Sequence, residues 1–245
     1  MNGRIAVQEL LRKSLVHVPT KGFTVAAIRQ TLQEYPNVDA AKLDRALAAL
    51  FPGPDSASTA GPRRLLQAWD NEVLKRMKQE YSNKGTETHA YESTVDWLCE
   101  RLKHSVPVRS HLLPAFTLLA SEPLLGQSPT FIPFLSKTPT IPNPGPVMAR
   151  AVQIAEDATF ATDLVTEKGT EWFTKRSRLA FSYGTAELAL VTQPSMTQEQ
   201  AINLLRRLAT TPGAYEFLRQ HTQSLRLWVE WGGRGWLGIL RSLGL

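Results

Sequence analysis

Residues 172–191, WFTKRSRLAFSYGTAELALV, constrain the fold of this chain more than any other stretch. An aromatic and cationic turn opens it, and from Leu179 onward only Ser182, Thr185 and Glu187 interrupt a run of small or apolar residues. A helix that is apolar on nearly every side must be enclosed by other helices. The stretch therefore predicts the central helix of an all-α bundle, and its short length and Glu187 argue against a membrane span.

Small residues recur along this predicted helix, at Ala180, Gly184, Ala186 and Ala189. Such residues let neighbouring backbones approach closely, which suits either a central bundle helix or a helix in a subunit interface. Glycine inside a helix costs about 1 kcal/mol relative to alanine. We therefore expect close packing at Gly184 to compensate for that loss.

The bulk composition limits the class of protein. The chain has 245 residues, 42% of them hydrophobic, which is enough for a sizeable core in one large domain or two small ones. Cys99 is the single cysteine, so no disulfide can form within the chain, and a reducing intracellular compartment is expected. No 18-residue apolar run or secretory segment is present, so we expect a protein that is neither integral to a membrane nor exported.

The charged and metal-binding residue types narrow the possible partners. A net charge of +6 favours acidic partners, namely nucleic acid, an anionic membrane face or an acidic protein. The five histidines are scattered without the spacing of a zinc or di-iron site, so no metal and no cofactor is expected. No nucleophile and base pair or phosphate-binding loop is readable, and we therefore predict that the protein is not an enzyme.

The first fifty residues contain three predicted helices. Pro19 and Gly22 are expected to end the first, Thr24 to cap the second, and Asp39 to cap the third. Three short helices in a basic protein predict a helix-turn-helix-like head over residues 1–52.

A DNA-binding repressor is the alternative function that this head suggests. Its third helix would then present side chains to base edges, after a turn at residues 34–37. Asp39 and Asp44 oppose the counterion release that drives DNA binding. We therefore favour a structural head and expect no nucleic-acid partner.

The remainder of the chain predicts a second unit over residues 65–212, followed by a tail over residues 213–245. Residues 53–64 are predicted to be a loop, and residues 121–146 hold seven prolines, which exclude a regular element. Further helices are predicted from Leu65, over 91–104, over 111–119 with Pro114 in the first turn, over 146–164, and from a Thr197 and Gln200 capping box.

The tail differs in kind from the bundle. Tryptophans alternate there with leucines and arginines, which is typical of an amphipathic helix lying in the headgroup layer of a membrane. The residues predicted to contact the membrane are Trp228, Trp231, Trp236, Leu237 and Leu240. The alternative is a tail helix that docks back on the core.

The sequence WFTKR at 172–176, followed by the small apolar run and TAEL at 185–188, resembles the signature of the mitochondrial ubiquinone-biosynthesis lipid-binding protein family. The fold of that family is the fold of TetR-type repressors. The likeness extends to further single positions along the chain, namely Val18, Pro19, Gly22, Phe23, Thr24, Ile28, Arg101, Leu102, His111, Pro114, Ala115, Pro123, Asp157 and Phe160. It covers most of residues 7–210.

This resemblance implies a homodimeric, non-catalytic protein with a TetR-repressor-like fold. It implies that the protein binds isoprenoid quinone intermediates or phospholipid and presents the quinone intermediates to the demethoxyubiquinone hydroxylase. A C-terminal amphipathic helix would hold the protein peripherally on the matrix side of the mitochondrial inner membrane. The positions that match the hydroxylase-contact region of the family are Asp157, Phe160, Trp172, Phe173 and Arg176.

The residues themselves allow this reading. A ligand cavity within the bundle could be lined by six side chains, namely Leu112, Phe116, Leu119, Leu179, Tyr183 and Leu188, although any one of them could equally be core. Trp172 and Arg176 are one helical turn apart, as in a protein-binding hot spot. Alternatively, Trp172 packs inward and Arg176 is solvated.

Overall fold

A computed structural model describes residues 3–34, 40–51, 57–82, 90–121, 145–162 and 170–210, and every regular element within these ranges is helical. The α-helices are α1 (Gly3–Ser14), α2 (Val18–Lys21), α3 (Val25–Gln33), α4 (Ala40–Leu50), α5 (Ala57–Ser82), α6 (Ala90–Ser105), α7 (Arg109–Ala120), α8 (Gly145–Ala161), α9 (Thr170–Thr192) and α10 (Gln198–Thr210). Short 3-10 turns at Leu15–His17 and Val106–Val108 join neighbouring helices. The all-α prediction is confirmed.

Helix α9 is the central element that its sequence predicts. It packs against α6, α7, α8 and α10, and Leu179, Tyr183, Ala186 and Leu190 are buried. A Cβ atom added at Gly184 would lie 3.2 Å from the Cβ of Ala151 on α8, closer than an ordinary contact. The predicted close approach at Gly184 is therefore confirmed, and its neighbour is α8.

The predicted loop over residues 53–64 is wrong from Ala57 onward, because α5 already begins there. Gly61 and Pro62 lie inside this helix and are buried. A Cβ at Gly61 would be 3.2 Å from Ile28 Cδ1, so the chain packs tightly here against the head. Tertiary packing outweighs the weak helix propensity of glycine and proline.

The head contacts the rest of the bundle at the turn between α2 and α3, where Gly22 lies close to His111 of α7. Gly22 has φ of 69° and is the C-cap of α2, whereas the first helix, which Pro19 and Gly22 are predicted to end, already ends at Ser14. Pro19 was expected to end the first helix, but it lies in the first turn of α2, where a missing N–H is tolerated. A ring nitrogen of His111 in α7 is 3.0 Å from the Pro19 carbonyl oxygen, and both α1 and α3 pack against α5.

Several predicted helix boundaries are confirmed, and two details are wrong. The Thr197 and Gln200 capping box forms, with reciprocal bonds of 2.9 and 3.2 Å. Thr24 is the N-cap of α3, but its hydroxyl donates to the Lys21 carbonyl and does not cap the helix. Pro114 lies in the interior of α7 and not in its first turn, because α7 already begins at Arg109.

Within the ranges that the structure describes, no helix is long and apolar enough to cross a membrane. The predicted membrane-contact residues, the Asp39 cap and most of the proline-rich segment lie outside those ranges.

Candidate functional site

An aromatic and charged surface forms where α8 packs along the start of α9. The Cζ atom of Arg176 lies 4.4 Å from the centroid of the Trp172 ring, and the guanidinium pairs with Glu156 of α8. The Trp172 and Phe173 rings meet edge to face, with centroids 4.7 Å apart. Arg176 is thus held between an aromatic face and a carboxylate, which fixes the orientation of Trp172.

Two phenylalanines of this surface are exposed. Phe173 is 66% exposed and Phe160 is 57% exposed, whereas Trp172 and Arg176 are half-buried. Phe160 lies one helical turn beyond Glu156 and therefore extends the same face of α8. Exposed aromatic rings beside an ordered Trp and Arg pair are typical of protein-binding surfaces. We call Phe160, Trp172, Phe173, Arg176 and Glu156 the aromatic surface.

Asp157 lies on another side of α8. Burial raises the pKa of Asp157, Glu156 and Asp70 raise it further, and a hydrogen bond from Gln153 and the charge of Lys78 lower it in part. Lys78 and Asp70, which are among the charges that act on Asp157, both belong to α5. The structure therefore brings four of the five predicted partner residues to the aromatic surface and leaves Asp157 beside it.

The six residues predicted to line a lipid cavity lie in the packed interior of the bundle. Leu112, Phe116, Leu179 and Tyr183 are buried, and Leu119 and Leu188 are half-buried against the same core. These residues come from α7 and α9, which are in contact. Two of them, Phe116 and Tyr183, touch charged side chains, which the sequence did not indicate.

Those charged side chains form a buried cluster that joins four helices. Arg150 of α8 donates to Asp70 of α5 through Nε and Nη2, both at 2.9 Å, and to Glu187 of α9 through Nη1 at 2.5 Å. Arg101 of α6 also donates to Asp70. We call Asp70, Arg101, Arg150 and Glu187 the charge cluster.

Glu187 is the most enclosed acid of the charge cluster. It accepts hydrogen bonds from Ser105 at 2.7 Å and from the Tyr183 hydroxyl at 2.9 Å. Burial alone would raise the pKa of Glu187, but Arg150, with help from Arg101 and Ser105, lowers it below its ordinary value. Glu187 is therefore ionised at neutral pH.

Arg150 is the counterpart of Glu187. Burial alone would lower the pKa of its guanidinium, but Asp70 and Glu187 raise it well above its ordinary value. Burial, with the adjacent Glu187 charge, also raises the pKa of Tyr183, whose phenol therefore stays neutral. Two arginines and two carboxylates thus balance in the interior.

Of the charge cluster, the sequence points only to Glu187, as the acid that interrupts the central helix, and to Arg101, as part of the resemblance. A signal for the other two was present, since each lies at helical spacing from apolar residues, Asp70 from Leu66 and Val73 and Arg150 from Val147 and Ile154. Glu156 was also missed, because its partner Arg176 lies on another helix. No known protein-family profile matches the chain, and no characterised protein is significantly similar to it in sequence.

Proposed function

We propose that this chain is a non-catalytic lipid-binding protein of ubiquinone biosynthesis. In this proposal it binds isoprenoid quinone intermediates at the mitochondrial inner membrane and presents them to the demethoxyubiquinone hydroxylase. The resemblance at residues 172–176 and 185–188 supports this function. A TetR-repressor-like arrangement of the all-α bundle and a homodimer are part of the same proposal.

The observation that carries the proposal is the aromatic surface. Its exposed rings, Phe160 and Phe173, stand beside the ordered pair of Trp172 and Arg176, at positions that match the hydroxylase contact of the family. A few residues carry most of the binding energy in protein interfaces, and tryptophan and arginine are enriched among them. The hydroxylase is the partner we assign to this surface.

The lipid part of the proposal is supported by the side chains in the middle of the bundle. Leu112, Phe116 and Leu179 are buried from α7 and α9, and apolar area of this kind is what an isoprenoid needs. Native mass spectrometry with lipid extraction on the purified chain tests it. We expect isoprenoid quinone or phospholipid bound to a dimer, and a lipid-free protein would contradict this part.

The hydroxylase contact is tested by measuring the affinity of the purified hydroxylase for the wild type and for Phe173→Ala. We expect a loss of about 10- to 30-fold, the size of a protein-interface hot spot. Val16→Ala is the matched control, since Val16 is a 77% exposed apolar residue on the head. Equal affinity of Phe173→Ala, Phe160→Ala and the wild type would refute the assignment of this surface.

The DNA-binding repressor is opposed by an ion pair in the head. Arg29 of α3 donates to Asp44 of α4 at 2.6 Å, so one of the cations that a phosphate would need is already neutralised. Salt-dependent binding of duplex DNA by the lipid-free protein would restore this alternative. We expect no such binding at about 0.15 M salt.

A further inference from the structure

Two buried hydrogen-bond donors of α6 have no acceptor within the described part of the chain. Arg101 donates to Asp70 through Nη2, while its Nη1 has no partner, and its side chain is only 2% exposed. The indole Nε1 of Trp97 also has no partner, and this residue is 1% exposed. Buried N–H groups without an acceptor are rare in native proteins, so each of these two points to a missing acceptor.

Trp97 and Arg101 lie on the same face of α6. They are four residues apart, which places their Cβ atoms about 6 Å from each other on a helix. The Arg101 guanidinium stands over the Trp69 ring at 4.6 Å, and its charge acts on both Tyr183 and Glu187. The unpaired Nη1 therefore belongs to the edge of the charge cluster.

Two aromatic side chains lie against other members of the charge cluster. Arg150 lies 5.3 Å from the centroid of the Phe116 ring, and Tyr183 donates to Glu187. Both aromatic residues were predicted to line a lipid cavity. A few placed polar groups among mostly apolar side chains are typical of sites for small amphipathic molecules.

The charges of the cluster select the kind of acceptor. Arg101 and Arg150 already balance Asp70 and Glu187, so an added anion would leave a net negative charge in the interior, which is unfavourable. A neutral carbonyl oxygen accepts from N–H donors without that charge. The oxygen of a hydroxyl group would bring a hydrogen that also needs a partner.

We propose that Arg101 Nη1 and Trp97 Nε1 form a buried site for the carbonyl oxygen of a neutral, mainly apolar ligand. The identity of the ligand rests on the proposed function, in which a quinone ring supplies the carbonyl. The donors then fix the head of the ligand, while its apolar part packs among residues of α7 and α9.

The test measures the affinity of the full chain for a fully substituted 1,4-benzoquinone with a short isoprenoid chain, and for its reduced hydroquinone. Trp97→Phe removes one donor and keeps an aromatic ring, whereas Arg101→Lys keeps the charge beside Asp70 and removes the fork of the guanidinium. We expect each variant to bind the quinone about tenfold more weakly, the effect of one buried hydrogen bond. The wild type should prefer the quinone over the hydroquinone.

Arg109→Lys is the matched control. Arg109 is a part-buried arginine that donates to the carbonyl oxygens of Gln193 and Met196. Because these bonds do not involve the two proposed donors, Arg109→Lys should leave the affinity for the quinone unchanged. Circular dichroism establishes that each variant is folded before its affinity is compared, and the two donor variants are independent of each other. Wild-type affinity in both Trp97→Phe and Arg101→Lys would overturn the carbonyl site, since water would then satisfy these donors.

The outcomes separate this site from the proposed function. Suppose that lipid co-purifies with the chain and that Phe173→Ala weakens hydroxylase binding. If both donor variants then keep wild-type affinity for the quinone, only the proposal of the carbonyl site is refuted. If the wild type does not bind the quinone and no lipid is extracted from the purified chain, both the carbonyl site and the lipid part of the proposed function are refuted. The hydroxylase measurement then still decides the partner contact.

Discussion

Replacing Glu187 by glutamine tests whether the charge cluster holds the bundle together. The variant keeps the shape of the side chain, and the amide oxygen can still accept from Ser105 and Tyr183. What is lost is the carboxylate that faces Arg150, which is buried and keeps only Asp70 as a charged partner. The perturbation therefore isolates the charge of Glu187 from its packing.

The expected magnitude follows from this geometry. Removing one member of a buried ion pair costs about 3–5 kcal/mol, because the other charge is left without compensation. Since Asp70 remains paired with Arg150, we expect a loss near the lower end, about 3 kcal/mol. A chain of this size loses roughly 2–4 °C of Tm per kcal/mol, so the Tm should fall by roughly 6–12 °C.

Urea unfolding followed by circular dichroism at pH 7.5 measures this loss. Glu199→Gln is the matched control, since Glu199 is exposed in the first turn of α10, where its charge is worth less than about 1 kcal/mol. A loss below about 1 kcal/mol in Glu187→Gln would refute the reasoning that this carboxylate is needed to compensate Arg150.

The pH dependence of the same experiment gives a second check. The folded protein lowers the pKa of Glu187, so its contribution to stability is fully present above the unfolded pKa near 4.3. The contribution is lost as pH falls through the lower folded pKa. The difference in unfolding free energy between wild type and Glu187→Gln should therefore be constant between pH 6 and 8 and narrow below about pH 4. A difference that narrows already near neutral pH would contradict the assignment.

Three further substitutions test local features of the fold. Gly22→Ala should lower the unfolding free energy by about 2 kcal/mol, because φ is 69° and the new Cβ would lie 2.9 Å from Nδ1 of His111; an unchanged urea midpoint would contradict this strain. Thr197→Ala should cost about 1 kcal/mol through the lost capping box with Gln200, and a Tm equal to that of the wild type would exclude it. Burial, with the charge of Arg101, lowers the pKa of His104, so the unfolding free energy of the wild type should fall as pH drops below about 6.5 towards the folded pKa. In urea titrations at pH 7 and 5.5, the unfolding free energy of His104→Gln should fall by less than that of the wild type. Equal pH dependence in both proteins would rule out this role of His104.

The local pattern of the sequence was sufficient for most of the helices. The enclosed part of α9 follows from the small and apolar residues that occupy nearly every side from Leu179 onward, and the start of α10 follows from the Thr197 and Gln200 capping box. Each signal lies within one short segment of the chain, so it can be recognised without knowing which other helices pack against that segment. The aromatic pair of Trp172 and Arg176 is local in the same sense, because one helical turn brings the two side chains together.

The tertiary structure decided what the local pattern left open. Helix α5 continues through Gly61 and Pro62, where residues of the head pack against it, and propensity alone does not contain that contact. The partner of Arg176 depends on how α8 packs along α9, which brings Glu156 to it.

The charge cluster shows the physical reason most clearly. Asp70, Arg101, Arg150 and Glu187 lie on four helices, and each alone is an unfavourable charge in an apolar pattern. A buried charge is stable only when an opposite charge pairs with it. In the charge cluster, the paired residues are far apart in the sequence. The sequence by itself determined that the chain is a helical bundle and that Glu187 interrupts its central helix. Only the packing of the helices determined that Arg150 forms the ion pair that compensates the charge of Glu187.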